Sequence, residues 1–244
     1  MRTFFRQPID DVVACLEPLV TVRNPLPTLV PVFLSLGATW MLYVGVHEML
    51  HALGCEVTGG DVYKLEISPL YGGALYAKWF SFVVTGSEYA GRLSGFETHG
   101  SDLIYLCTDF MPFVLTVLFG VTLLKMAGRG RRPIRFGSAV VLGLTPFYNL
   151  QGDYFEMGSI ITTRLVTFAM RGFGHPPLYE KLRSDDIFKL GETFLTRPTE
   201  LGLEGIGDIA LADVLIHASF VIAILLAFAT YWAGHQVSRL WLQR

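Results

Sequence analysis

A chain of 244 residues that is 52% hydrophobic and only 16% charged, with a mean hydropathy of +0.46, lies outside the usual composition of a water-soluble domain. Its formal net charge of −2 carries no broad excess of Lys and Arg, which argues against nucleic acid as a partner. Cys15, Cys55 and Cys107 lack CxxC spacing, so neither a disulfide framework nor a thiolate metal site is expected. The expected class is an integral, multi-pass α-helical membrane protein in contact with the lipid bilayer.

In residues 1–27, Asp10, Asp11 and Glu17 interrupt the apolar positions, so a cleavable signal peptide is not expected. Ile9, Val12, Val13, Leu16, Leu19 and Val20 recur at helical spacing after Pro8, which a first helical turn tolerates. This predicts a helix that either lies on the membrane surface or packs against the protein. The first span is expected at Thr28 to Cys55, since Leu29 to Val46 holds no charge.

Residues 56–100 change character. Val62–Ile67 mixes β-branched, aromatic and polar residues as a strand does, and Ala74–Thr85 is a candidate second strand of a small membrane-level hairpin or sheet. Irregular backbone at that depth is tolerated only where protein buries it or a cavity borders it. Gly86–Gly100 reads as a connector. The second span is expected at Asp102 to Lys125, with Asp109 and the Met111-Pro112 step inside it.

After the basic connector Lys125, Arg129, Arg131, Arg132 and Arg135, an apolar stretch starts at Phe136. It breaks at Gln151-Gly152-Asp153 and resumes to about Met170. Its length suits one span broken at its middle with an interfacial extension, giving about four spans; two spans there would give five. Residues 171–208 are polar and extramembrane, with a turn at His175-Pro-Pro177. Ser184 is the expected N-cap of a short amphipathic helix through Leu182, Ile187, Leu190 and Phe194. The last span is Ile209 to Trp232.

Chemistry concentrates at His47-Glu48-Met49-Leu50-His51. Two histidines four apart lie on one face of a helix, so both rings can reach one metal ion, and the adjacent Glu48 has the position of a general base. Ionisable residues in an apolar span are costly and mark function by default. Trp40, Val44, His47, His51 and Gly54 share one stripe, so the metal face is expected to look inward. A third, carboxylate or imidazole ligand would leave one position open for water. Asp153, at the helix break, is the leading choice; Glu156, three residues on, is the alternative, ahead of His99, Glu97, Asp109 and His217. Asp213 and His217, also four apart, read as a helix-packing hydrogen bond.

These segments together resemble the site-2 protease family of intramembrane zinc metalloproteases. The resemblance rests on His47-Glu48-x-x-His51, then Leu65-Glu-Ile-Ser-Pro-Leu-Tyr-Gly-Gly-Ala74, then Thr145-Pro-Phe-Tyr-Asn-Leu-Gln-Gly-Asp153, in that order over residues 28–170. It implies a three-helix core with its β region at 60–85, one Zn²⁺ held by His47, His51 and Asp153, and Glu48 as catalytic base. It implies also that a membrane-protein substrate pairs in extended form with a strand edge near residues 65–80, with Gly72, Gly73 and Asn149 at the substrate site.

Topology does not settle on one side. With four spans, both termini and the Arg-rich connector share the side that the positive-inside rule calls cytoplasmic. Residues 56–100 then face away from it, whereas the resemblance places the active site nearer the cytoplasm. Two other functions fit the same sequence: a membrane metalloenzyme acting on a lipid or small amphiphile, and a non-catalytic membrane scaffold or transport component.

Overall fold

The structure is a computed structural model, describing residues 2–87, 89–130, 132–170 and 181–242. The chain divides into one unit of residues 1–146 and 228–244 and a second of residues 147–227. Among the described residues, three helices are long and apolar enough to cross a membrane: Leu26–Val57, Asp102–Gly128 and Ile206–Leu242. The protein is a helical one with a small sheet, and these helices mark it as a membrane protein.

In the first unit, α1 (Arg2–Val20) begins well before Pro8, so both Pro8 and Pro18 lie inside it rather than Pro8 opening it. Its apolar stripe is split. Cys15 and Leu19 are buried, while Ile9, Val13 and Val20 face outward. Burial pushes the Cys15 thiol up to about 11. It remains a thiol and donates to the Leu124 carbonyl at 3.0 Å. Asp11 accepts from Gln7 Nε2 at 2.9 Å and from the Tyr231 hydroxyl at 2.8 Å. The helix is packed against protein on that side.

The first span, α2, runs Leu26–Val57, with Pro31 in an early turn. After a turn comes β1 (Asp61–Ile67), the central strand of a three-stranded sheet. The expected second strand over 74–85 is mostly not a strand. Its first part is the single turn α3 (Gly73–Tyr76), and only Val83–Thr85 forms β2, pairing parallel to β1 from Leu65 to Ile67. The stretch read as a connector supplies β3 (Gly91–Glu97), antiparallel to β1. The sheet therefore reaches beyond residue 85 and is no simple hairpin. Gly91 and Gly95 disguised β3 in the sequence, because glycine weakens an isolated strand and here serves close packing. Ala52, Leu65, Ile67 and Val83 form the core that joins α2 to the sheet. On the exposed face, Lys64 pairs with Glu66 at 2.6 Å and holds its carboxyl below the usual range.

Between β1 and β2 the chain turns through Gly72, whose φ of +88° suits glycine. Gly73 is buried, and a Cβ there would run into the Ile67 carbonyl. Both glycines thus have local backbone reasons to be present. The Gly73→Ala variant is expected to lose roughly 1–3 kcal/mol through this backbone clash, read as a lowered Tm.

The second span is interrupted. It comprises α4 (Asp102–Phe110), a 3₁₀ turn at Met111–Phe113, a π turn at Thr116–Gly120, and α5 (Val121–Gly128). Pro112 supplies the cause of the first irregularity, since it has no N–H to continue the ladder. Next, α6 (Pro133–Tyr148) packs closely against its neighbours: a Cβ on Gly137 would meet the Val32 carbonyl, and one on Gly120 the Leu142 carbonyl. Thr39 Oγ1 donates to Ser138 Oγ at 2.8 Å, and Thr116 Oγ1 to the Leu142 carbonyl at 2.7 Å. Small residues and hydroxyls hold these helices together, as expected where lipid removes the hydrophobic drive between them.

In the second unit, the break at 149–152 is real. The Asn149 carbonyl accepts from Gly152 and Tyr154 N–H, and α7 (Asp153–Met170) then begins. Helices α6 and α7 hold 16 and 18 residues. At 1.5 Å per residue they rise about 24 and about 27 Å, against a hydrocarbon core of about 30 Å. The short helix is found as α8 (Ile187–Thr196), but its cap is Asp186, whose carboxylate accepts from Phe188 and Lys189 N–H. Ser184, the expected cap, instead accepts from Asp186 N–H in a preceding turn. Phe155, Leu182, Leu190, Leu201, Leu203, Ala212 and Leu215 form this unit's core. The final helix is α9 (Ile206–Leu242), longer than expected at both ends. Asp213 and His217 are half or more exposed and bond within their own helix, so they are no packing bond between helices. The turn expected at 175–177 lies outside the described residues.

Candidate metal centre

Helix α2 presents His47 and His51 on its buried face, 7% and 8% exposed. Val44 and Gly54 of the same stripe are buried as well, while Trp40 at its far end is exposed. Close packing fixes this face. A Cβ on Gly45 would strike the Tyr71 carbonyl, and one on Gly54 would lie 2.7 Å from Met111 Cβ and 2.8 Å from the Cys107 carbonyl. The His helix is thus pressed against the 71–76 turn on one side and α4 on the other.

The two Nε2 atoms are 3.1 Å apart. Both Nδ1 atoms have partners: Tyr43 Oη at 3.1 Å for His47, and the Thr108 carbonyl at 2.9 Å for His51. Two imidazole nitrogens bound to one tetrahedral zinc at about 2.0–2.1 Å would stand roughly 3.3 Å apart. The observed spacing is close to that without rearrangement. Ring Nδ1 atoms engaged by outer partners are the usual support for histidines that ligate through Nε2.

One ligand atom from each of His47, His51 and the half-buried Asp153 lies within 4.8 Å of the others, and this group could hold a metal ion. Among the described residues it is the one such group, and Glu156, His99, Glu97, Asp109 and His217 are not in it. Two imidazoles and a carboxylate are a donor set that suits zinc and leaves a fourth position open.

Glu48 is half-buried and points toward the sheet. A Cβ on Gly91, the first residue of β3, would stand 2.6 Å from Glu48 Cδ and 3.1 Å from its Oε1. Gly91 therefore leaves the room in which the Glu48 carboxylate sits. Sequence reading missed Gly91, Tyr43 and Thr108. Tyr43 had a signal, lying one turn before His47; Gly91 had none, because the contact depends on how the sheet folds back. Asn149 is half-buried and contributes its carbonyl to the turn before Asp153. The strand edge expected near 65–80 is corrected by the topology: β1 is central, and the sheet's edge strands are β2 and β3. No family model, no curated protein and no solved structure matches the chain.

Proposed function

We propose that this protein is an intramembrane zinc metalloprotease of the site-2 protease kind, hydrolysing peptide bonds of transmembrane or membrane-associated substrates. The observation that carries the reading is the pair of buried, convergent Nε2 atoms, 3.1 Å apart, with Glu48 one residue along on the same apolar helix. Burying His-Glu-His in such a helix is costly unless a partner compensates it, and a shared cation does so.

His47, His51 and Asp153 would hold the zinc. The ion would supply Lewis acidity toward a water molecule and the substrate carbonyl. Glu48 would take a proton from that water as it attacks and return it to the departing amine, so a peptide bond is exchanged for a carboxylate and an amine with no other reagent. An extended substrate adding to the sheet would meet β2 or β3. Of these, β3 begins beside the Glu48 carboxylate.

That neighbourhood gives a test in which folding is spared. The three atoms nearest a Gly91→Ala methyl all belong to the flexible Glu48 side chain. The variant is expected to fold and keep its zinc, while cleavage of a single-span substrate falls roughly 10²-fold, the scale of a misplacement of about 1 Å at a reacting group. Unchanged cleavage would remove Glu48 from the role given to it.

A further inference from the structure

In a helix, the Thr108 carbonyl would be taken by the N–H four residues on. That residue is Pro112, which has none. The preceding N–H, of Met111, bonds to the Cys107 carbonyl. Thr108 is only 1% exposed, so water is no ready substitute. The donor that reaches it is His51 Nδ1, at 2.9 Å. A carbonyl can only accept, so His51 Nδ1 carries a proton, and in the neutral ring Nε2 keeps its lone pair.

We propose that Pro112 is a positioning residue for the metal centre: by withholding its N–H it frees the Thr108 carbonyl, which locks His51 in the Nδ1–H tautomer with its Nε2 lone pair turned to His47. The two histidines are then inequivalent. His47 Nδ1 meets the Tyr43 hydroxyl, which both donates and accepts, so either His47 nitrogen can carry the proton. With His51 Nε2 as acceptor, a hydrogen bond across the 3.1 Å Nε2···Nε2 contact takes its proton from His47 Nε2–H. Tyr43 then donates to His47 Nδ1. For both Nε2 atoms to ligate, the His47 proton moves to Nδ1 and Tyr43 turns to accept it. One ligand is fixed by the backbone and the other adjusts.

The tautomer assignment stands on the hydrogen bonds alone; its consequence for zinc rests on the metal-site reading proposed above. It is tested by ¹⁵N NMR of the full chain, histidine-labelled, metal-free and held at about pH 8, where free imidazole is neutral. His51 is expected as Nδ1–H and His47 as Nε2–H. In Pro112→Ala the new N–H reclaims the Thr108 carbonyl. His51 is then expected to shift to Nε2–H, and the zinc affinity, by chelator competition, to weaken roughly 10–100-fold. His51 found as Nε2–H in the wild type overturns the proposal even if Pro112→Ala does not fold. An unchanged tautomer in a folded Pro112→Ala overturns the part given to Pro112. Failure to bind zinc at all, with the wild-type tautomers as expected, would count against the protease reading and leave the tautomer assignment standing.

Discussion

The Glu48→Gln variant is expected to lose cleavage of a single-span membrane substrate by roughly 10²- to 10⁴-fold, the range for removing a positioned general base. Glutamine keeps the size and most of the polarity of the side chain but cannot take a proton at neutral pH. Glu48 is not a member of the His47, His51, Asp153 group, so zinc content is expected to stay at the wild-type level. Its half-buried position against Gly91 accepts an isosteric amide without a packing change. Loss of activity with zinc retained is therefore the signature of lost base catalysis rather than of a damaged site. Retained cleavage would dismiss the mechanism. Product analysis with peptide and lipid substrates in the same assay separates the protease from an enzyme acting on a lipid or small amphiphile. A scaffold or transport component would cleave neither.

Much of the candidate site is legible in the sequence, and the reason is periodicity. His47 and His51, four apart in a charge-free run, fix their own relative geometry because a helix brings residues one turn apart together. The break at Gln151-Gly152-Asp153 was visible as polarity inside an apolar stretch, and the chain does turn there. Length and composition place spans at Thr28–Cys55 and Ile209–Trp232, inside the longer helices Leu26–Val57 and Ile206–Leu242.

The rest depended on contacts that no local pattern encodes. β3 was hidden because Gly91 and Gly95 lower strand propensity, and what selects them is the approach of Glu48 and Lys64. Ala74–Thr85 looked like a strand by its aromatic and β-branched content, yet most of it turns, because Tyr71 and Tyr76 pack against the sheet core. Asp186 displaced Ser184 as a cap since both residue types satisfy the same rule and only the backbone course decides between them. The Met111-Pro112 step was visible, but its link to His51 requires knowing that α2 and α4 are adjacent.

Metal binding carries the second large effect. His51→Ala removes one of two imidazoles and leaves the other without its partner at 3.1 Å, so zinc is expected to fall to near zero after dialysis against a weak chelator. Tyr43→Phe, which removes only the hydroxyl beside His47 Nδ1, is expected to retain zinc with roughly 10-fold weaker affinity. A scaffold with no metal role would tolerate both substitutions and would carry little zinc to begin with.

Zinc stoichiometry most directly tests the proposed centre of His47, His51 and Asp153. Purified wild type, Asp153→Ala and Glu156→Ala are compared by elemental analysis on equal amounts of folded protein. About one zinc per chain is expected in the wild type and in Glu156→Ala, with a large loss in Asp153→Ala. A wild type without zinc, or a loss confined to Glu156→Ala, would contradict it.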